Sequence, residues 1–197
     1  MIGVFDSGVG GLSVFKELYA LMPEQDFVYV SDAGHCPYGN KPVEYIIDRA
    51  DAITQFLIAQ GAEVVVIACN TATAAAVKYL RGKYPIPFVG MEPAIKPAAL
   101  TSKSGVVGVL ATANTFKGSL YNNTLEKFAS DVNVIEQVGD GLVEFVESGL
   151  IEGPEVEKLL SKYIKPMVDE GADAIVLGCT HYPFLESSIK KIAGEGV

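Results

Sequence analysis

Seven short apolar runs punctuate the chain, at residues 2–6 (IGVFD), 26–31 (DFVYVS), 63–68 (EVVVIA), 86–90 (IPFVG), 105–110 (GVVGVL), 132–137 (VNVIEQ) and 173–177 (DAIVL). Each is rich in β-branched residues and bounded by polar or turn-forming ones, so each predicts a strand. Between them, at 42–60, 70–83, 114–129, 154–170 and 182–193, the spacing of apolar positions is that of a helix with one buried face. Strands alternating with helices predict βαβ units and a mostly parallel sheet. Runs as continuous as VVVIA fit strands covered on both faces.

The pattern also repeats. GAEVVVIACNTATAAAVKYL from Gly61 and GADAIVLGCTHYPFLESSIK from Gly171 share a Gly-Ala-acid start, an apolar strand, a cysteine and a helix. Cys69 and Cys179 each stand eight residues after their glycine. GVFDSGVGGLSVFKEL from Gly3 and GVLATANTFKGSLYNN from Gly108 form a weaker pair, each strand, polar turn and helix. The expected fold is therefore α/β, with two similar flavodoxin-like parallel-sheet domains and the active site in the cleft between them. The division is placed at 1–97 and 98–197, near the polar stretch TSKSG. In open α/β sheets ligands bind beyond the carboxyl ends of the strands, and both cysteines fall at such ends.

Composition narrows the function classes. The chain of 197 residues is 49% apolar, enough to bury a sizeable core. Its formal net charge of −9 speaks against nucleic acid, whose phosphates call for a basic surface. No apolar run approaches the roughly 18 residues of a membrane span, and MIGVFDSG lacks the regions of a signal peptide. Three cysteines without framework spacing suit a reducing compartment. A cytoplasmic protein, bound to neither membrane nor nucleic acid, is expected.

The candidate chemistry centres on Cys69 and Cys179. Singly, either is as readily a small buried core residue as a reactive thiol. Their equivalent placement, each followed by polar residues at a helix start, favours a pair of thiol acid/base catalysts, since a helix N-terminus favours thiolate. A disulfide is the remaining reading. Asp6 and Ser7 open the turn DSGVGG, whose backbone N–H groups could hold a carboxylate or phosphate. The turn is neither a Walker loop nor a dinucleotide fingerprint, because it lacks the Lys-Ser/Thr ending and has Ser13 where a third glycine belongs. Asn70, Thr71 and Thr180 follow the cysteines as ordinary helix caps or contacts to an amino-acid backbone; His181 is either a satisfied polar residue or a group that holds or relays a proton near Cys179. Asp32 and the loop Pro37-Tyr38-Gly39 would line the same crevice. Thr112 and Thr115 are caps first and ligand contacts second. His35 and Cys36 raise a metal reading, but no spacing supplies the three or four ligands of a zinc site, and Cys36 is treated as incidental. Two thiols facing one cleft suit racemisation. One thiolate removes a proton from carbon and the other thiol delivers one to the opposite face. Thiolate is a weak base, with a reference pKa of about 8.5, so the site must stabilise the carbanion and hold the carbon between the sulfurs.

DSGVGG (6–11), PYG (37–39), ACNTA (68–72) and GCTHYP (178–183) together resemble the glutamate racemases of the cofactor-independent aspartate/glutamate racemase superfamily. The resemblance runs along the whole chain in order. It implies conversion of L-glutamate to D-glutamate for peptidoglycan synthesis, with no cofactor and no metal. It also implies glutamate as the small-molecule partner and, as in many members, a homodimer. Cys69 would serve the D-enantiomer and Cys179 the L-enantiomer, assisted by Asp6, His181 and Glu147. By composition alone Glu147 is a surface carboxylate. Asp6, Ser7, Asp32, Pro37, Tyr38, Gly39, Asn70, Thr71, Thr112, Thr115, Thr180 and His181 would surround the substrate. Members usually continue for several tens of residues beyond Val197, with a tail that returns to the first domain. Reduced stability, or compensation by oligomerisation, is expected of the shorter chain. The alternatives are a racemase or isomerase for aspartate or another acid, and a truncated, non-catalytic amino-acid-binding protein. A nucleotide-binding protein ranks last.

Overall fold

The computed structural model describes all of residues 1–197 and contains two parallel sheets. The first has the strand order β2-β1-β3-β4, from β1 (Ile2–Asp6), β2 (Phe27–Ser31), β3 (Val64–Ile67) and β4 (Phe88–Gly90). The second has the order β6-β5-β7, from β5 (Val106–Ala111), β6 (Asn133–Val138) and β7 (Ala174–Gly178). All seven expected strands form. β4 starts two residues late, at Phe88, because Pro87 has no N–H to give a sheet. In each sheet the first strand of its half lies between the next two, so β1, β2 and β3 correspond to β5, β6 and β7. The order reverses beside β1 and again beside β5, and such switch points open a crevice at the carboxyl ends of the strands.

The crossover helices follow from their apolar spacing. In α2 (Val43–Ala59) the buried residues are Ile46, Ala50, Ile53, Thr54 and Leu57. In α8 (Pro154–Asp169) they are Val156, Leu160, Tyr163, Ile164 and Met167. Counted back from Gly61 and Gly171, the two sets occupy identical positions, so the internal repeat extends through the helices. Both helices end in the same way. Gly61 and Gly171 adopt φ of 94° and 91°, which glycine reaches without a Cβ penalty. The N–H groups of Gly61 and Ala62 bond to Ile58 and Leu57, and those of Gly171 and Ala172 to Val168 and Met167. This pairing satisfies the last carbonyls of each helix and aims the chain into β3 and β7.

Four cores result. The α2 helix and α3 (Asn70–Lys83) cover one face of the first sheet, with Phe5, Val65 and Ile67 beneath them. The other face carries only α1 (Leu12–Leu21), over Val4, Val66 and Ala68. It is the thinnest layer in the molecule, and Tyr19, Leu21 and Val89 remain exposed. The second sheet is sandwiched. On one side lie α7 (Leu142–Glu147), α8 and α9 (Glu186–Ala193). On the other lie α4 (Ile95–Thr101) and α6 (Ser119–Phe128). The helix expected over 114–129 divides into α5 (Ala113–Phe116) and α6, because Gly118 lies against Ala74 of α3 too closely for a side chain. The stretch expected as a helix from 182 begins as a 3-10 turn, Tyr182–Leu185, and becomes α9 at Glu186. The polar stretch 102–104 is gathered by Asp173, which accepts from the Ser102 hydroxyl and the N–H groups of Lys103 and Ser104. Those bonds hold the Asp173 carboxyl down at about 2.

The loop after β2 is anchored by Asp32. Its carboxylate accepts from Arg49 Nε and Nη2 of α2 at 3.0 and 2.7 Å, and from the Tyr38 hydroxyl at 2.5 Å. Burial pushes the Asp32 carboxyl up, but these donors outweigh it and leave it below its ordinary value. A carboxyl lowered on folding contributes stability above its unfolded pKa, and the contribution disappears as pH falls through the folded one. Asp32→Asn is expected to cost about 1–2 kcal/mol at neutral pH, the partly exposed Arg49 limiting the effect. Urea unfolding of both proteins should show the gap at about pH 7 and a smaller one at about pH 3, below the reference Asp value of about 3.9. An equal gap at both pH values would show that the ion pair is not its source.

Candidate active site

The carboxyl ends of β1, β3, β5 and β7 meet at the seam between the sheets, each delivering one polar segment. β1 ends at Asp6 and turns through DSGVGG into α1. The side chain of Asp6 is fully buried; its Oδ2 accepts the Gly8 N–H at 2.8 Å and its Oδ1 accepts the Thr180 hydroxyl at 2.9 Å. Burial raises its carboxyl above the ordinary value, against the nearby His181 ring and the Gly8 and Thr180 hydrogen bonds. The glycines of this turn have ordinary backbone angles, so freedom of φ is not their purpose. A Cβ on Gly8 would overlap the Glu147 carboxylate, one on Gly10 would overlap His181, and one on Gly11 would overlap Asp6. Glycine lets the second half press its functional side chains onto the turn. The N–H groups expected to hold an anion hold the protein's own: Gly8 serves Asp6, and Val9 serves Glu147 at 2.8 Å.

Cys69 follows β3 and caps α3. Its sulfur accepts the Ala72 N–H at 3.4 Å, and its S–H points to Ser7 Oγ at 3.7 Å. A helix N-terminus was expected to favour thiolate. Burial overrides it: desolvation, and then the charge of Asp6, push Cys69 up to about 12 despite the Ala72 and Ser7 hydrogen bonds. Cys179 follows β7 and is held well above the usual thiol value by burial, by Cys69 and by Asp6, against the His181 N–H. The two sulfurs therefore feel each other and a common carboxylate. Cys179 differs from its counterpart in its neighbour, for His181 Nδ1 lies 3.8 Å from its sulfur.

The other ring nitrogen, His181 Nε2, meets Glu147 Oε1 at 2.5 Å. Burial pushes the Glu147 carboxyl up, but bonds from His181 and the Val9 N–H outweigh it and leave the group lowered, hence ionised. A carboxylate can only accept, so Nε2 carries a hydrogen, and in the neutral ring Nδ1 then presents its lone pair to the Cys179 thiol. This is the order nucleophile, base and orienting acid, spread over β7 and the C-terminal turn of α7.

A second polar group closes the seam. Thr71 Oγ1 meets Thr112 Oγ1 at 2.8 Å and Thr115 Oγ1 at 3.4 Å, with Thr112 and Thr115 3.0 Å apart. Gly39 lies against the Thr112 side chain. Asn114, which the sequence did not single out, latches the 37–39 loop: its side-chain amide donates to the carbonyls of Tyr38 and Lys41 at 3.2 and 2.8 Å, and its N–H to Gly39 at 3.3 Å. Pro37, Gly39 and Thr112 border a cavity of about 20 Å³, too small for an amino acid. Asn70 Oδ1 is buried beside Cys69 without a partner. Asp32 stands apart, its acceptors occupied by Arg49 and Tyr38. His35 is turned toward Tyr45. Cys36, treated as incidental, is drawn in beside Glu147 and His181.

The site brings together two buried cysteines, a histidine with a carboxylate on its far nitrogen, and a cluster of threonine hydroxyls. Residues 11–197 match the family model described as Asp/Glu/Hydantoin racemase, and the chain belongs to that family. Within it the chain is similar to glutamate racemases, and it is an enzyme of their class, the isomerases. It is 53% identical to the glutamate racemase of Ectopseudomonas mendocina over 197 residues, all of this chain and 75% of that one. It is 50% identical to that of Methylococcus capsulatus over 196 residues, covering 100% of this chain and 72% of the relative. Among solved structures, Escherichia coli glutamate racemase in complex with L-glutamate and the activator UDP-MurNAc-ala superposes with a TM-score of 0.89 at 36% identity, over 99% of this chain and 74% of that one. An aspartate racemase of Picrophilus torridus, with a TM-score of 0.59 and 20% identity, shares the fold.

Because thiolate is the reactive form and both thiols are raised, alkylation of Cys69 and Cys179 by iodoacetamide in the substrate-free protein should be slow near neutral pH. Mass spectrometry of the two peptides should show rates still climbing at about pH 10. A plateau near pH 7 for either cysteine would reveal a low-pKa thiolate and contradict the burial argument.

Proposed function

We propose that this chain interconverts L- and D-glutamate by a two-base mechanism, with Cys69 and Cys179 on opposite faces of the α-carbon. The observation that supports it is the different side chain beside each thiol. His181 Nδ1 faces Cys179, and Glu147 steadies the imidazolium that forms when it takes the thiol proton. Ser7 Oγ faces Cys69, and the Asp6 carboxylate acts on both thiols. Starting from the L-enantiomer, Cys179 as thiolate removes the α-proton, and the S–H of Cys69 delivers its proton to the other face. Cys179 finishes as thiol and Cys69 as thiolate, so the reverse reaction starts from the state the forward one leaves. The Gly8, Val9 and Ala72 N–H groups and the threonine hydroxyls supply oriented dipoles where carbanion charge develops.

The seam must open to admit substrate. The threonine cluster and the Asn114 latch are the hydrogen bonds that substrate carboxylate and ammonium groups would replace, and Asn70 Oδ1 offers a free acceptor to the ammonium. Several relatives are named for their ligands, such as the Francisella tularensis glutamate racemase in complex with D-glutamate, and glutamate is the substrate inferred for this chain. Supply of D-glutamate for peptidoglycan, a cytoplasmic location and a homodimeric state accompany this reading. The division into domains at 97/98 is kept as part of it. No helix of the chain is long and apolar enough to cross a membrane.

The test uses L- and D-glutamate separately in D2O, with α-proton loss followed by NMR and optical rotation followed in parallel. Cys69→Ser should exchange the α-proton of L-glutamate but not of D-glutamate, Cys179→Ser should do the reverse, and neither should racemise. Loss of one acid/base group removes about 10²–10⁴-fold in rate. Racemisation at the wild-type rate by either variant would replace the two-thiol reading with a one-base mechanism.

A further inference from the structure

The third cysteine is the part of the site that the proton transfer leaves unused. Cys36 Sγ, a Glu147 carboxylate oxygen and a ring nitrogen of His181 lie within 4.8 Å of one another. The Cys36 thiol lies beside the Glu147 carboxylate, while Glu147 meets His181 at 2.5 Å. Three different elements bring them together: the loop after β2, the end of α7, and the turn after β7. A groove of about 340 Å³, lined by Cys36, Pro37, Glu144 and Glu147 among others, leads to them from solvent. It reaches Cys36 and Glu147 without parting the seam over Cys69 and Cys179.

We propose that Cys36, Glu147 and His181 form a binding site for a zinc-class divalent cation, and that the bound cation switches the proton-transfer site off. Thiolate, imidazole and carboxylate are the donors that borderline-soft metals select. Metal–ligand bonds of about 2.0–2.3 Å place tetrahedral ligand atoms roughly 3.5 Å apart, so the Glu147–His181 contact of 2.5 Å opens by about an ångström to admit the ion. One thiolate and one carboxylate balance the charge of the ion, and water from the groove takes the fourth position. On binding, the Cys36 proton leaves to solvent. The cation replaces the hydrogen on His181 Nε2, and that hydrogen passes to Nδ1. Nδ1 then donates toward Cys179 and can no longer accept its proton. Binding is independent of the racemase reading; the inhibition rests on it.

Cobalt is the probe, because a thiolate–cobalt bond gives a near-ultraviolet charge-transfer band that names its cysteine. Titration of Co²⁺ into the reduced full chain should produce the band at one equivalent, and Zn²⁺ should displace it. The band should survive in Cys69→Ser and Cys179→Ser and vanish in Cys36→Ser and Cys36→Ala, with circular dichroism verifying the fold of each. Partners of a metal that do not even touch it already carry about 10–100-fold in affinity, so removal of Cys36 should weaken binding by at least that factor. Zinc should inhibit the wild type reversibly to chelator, and the Cys36 variants should resist it by the same factor. A band that persists without Cys36, or disappears with Cys69 or Cys179, places the metal on the other thiols and overturns the site. Equal zinc inhibition of wild type and Cys36→Ser overturns the switch, and absence of inhibition in a wild type that shows the Cys36-dependent band does the same. An inactive wild type that still shows this band retains the metal site and rejects the racemase reading instead.

Discussion

The carboxylate of Glu147 meets the Val9 N–H and the His181 imidazole at the seam between the two sheets, and the arrangement of the site depends on that meeting. Glu147 belongs to α7, Val9 to the turn after β1, and His181 to the turn after β7. One group thus ties both halves together and fixes which nitrogen of His181 carries the hydrogen. Hydrogen bonds to a charged partner contribute about 1.5–3 kcal/mol each. The glycines of DSGVGG are the steric condition for it, since a side chain at Gly8 or Gly10 would occupy the space of Glu147 or His181.

The same closeness explains the protonation of the thiols. In the closed, substrate-free seam, low polarity dominates and keeps Cys69 and Cys179 protonated, although one of them caps a helix. A site that stored reactive thiolate would risk oxidation. One that holds thiols beside a poised base makes thiolate only when the seam rearranges around a ligand. The two halves solve this differently. His181 with Glu147 lies beside Cys179, while Ser7 lies beside Cys69, so the internal repeat differs just where opposite enantiomers are proposed to be handled.

Much of the fold was legible because burial on both faces forces parallel strands into continuous apolar runs, and all seven runs became strands. The repeat was visible from Gly61 and Gly171 onward, where glycine and cysteine are conspicuous. Its extension back through α2 and α8 was hidden, because Ile46, Ala50 and Ile53 correspond to Val156, Leu160 and Tyr163, alike only in being buried. The break at Gly118 was equally silent, since its cause is Ala74, 44 positions away in sequence. For the site, residues beside the cysteines could be found by adjacency. Glu147 rested on resemblance alone, and the places of Asn114 and Cys36 arise from tertiary contact. Asp32 looked like a crevice residue by position, and its hydrogen bonds give it the task of anchoring the 37–39 loop.

The central claim is that Glu147 holds the hydrogen of His181 on Nε2 and leaves Nδ1 as the acceptor for Cys179. The chain has two histidines, His35 and His181, so a long-range ¹H–¹⁵N spectrum of the ¹⁵N-histidine-labelled protein can be assigned with a single His35→Gln variant. At neutral pH, without substrate, His181 should show a protonated Nε2 and an unprotonated Nδ1, and Glu147→Gln should disturb that pattern while His35→Gln leaves it unchanged. A His181 ring protonated on Nδ1 and bare on Nε2 would contradict the account.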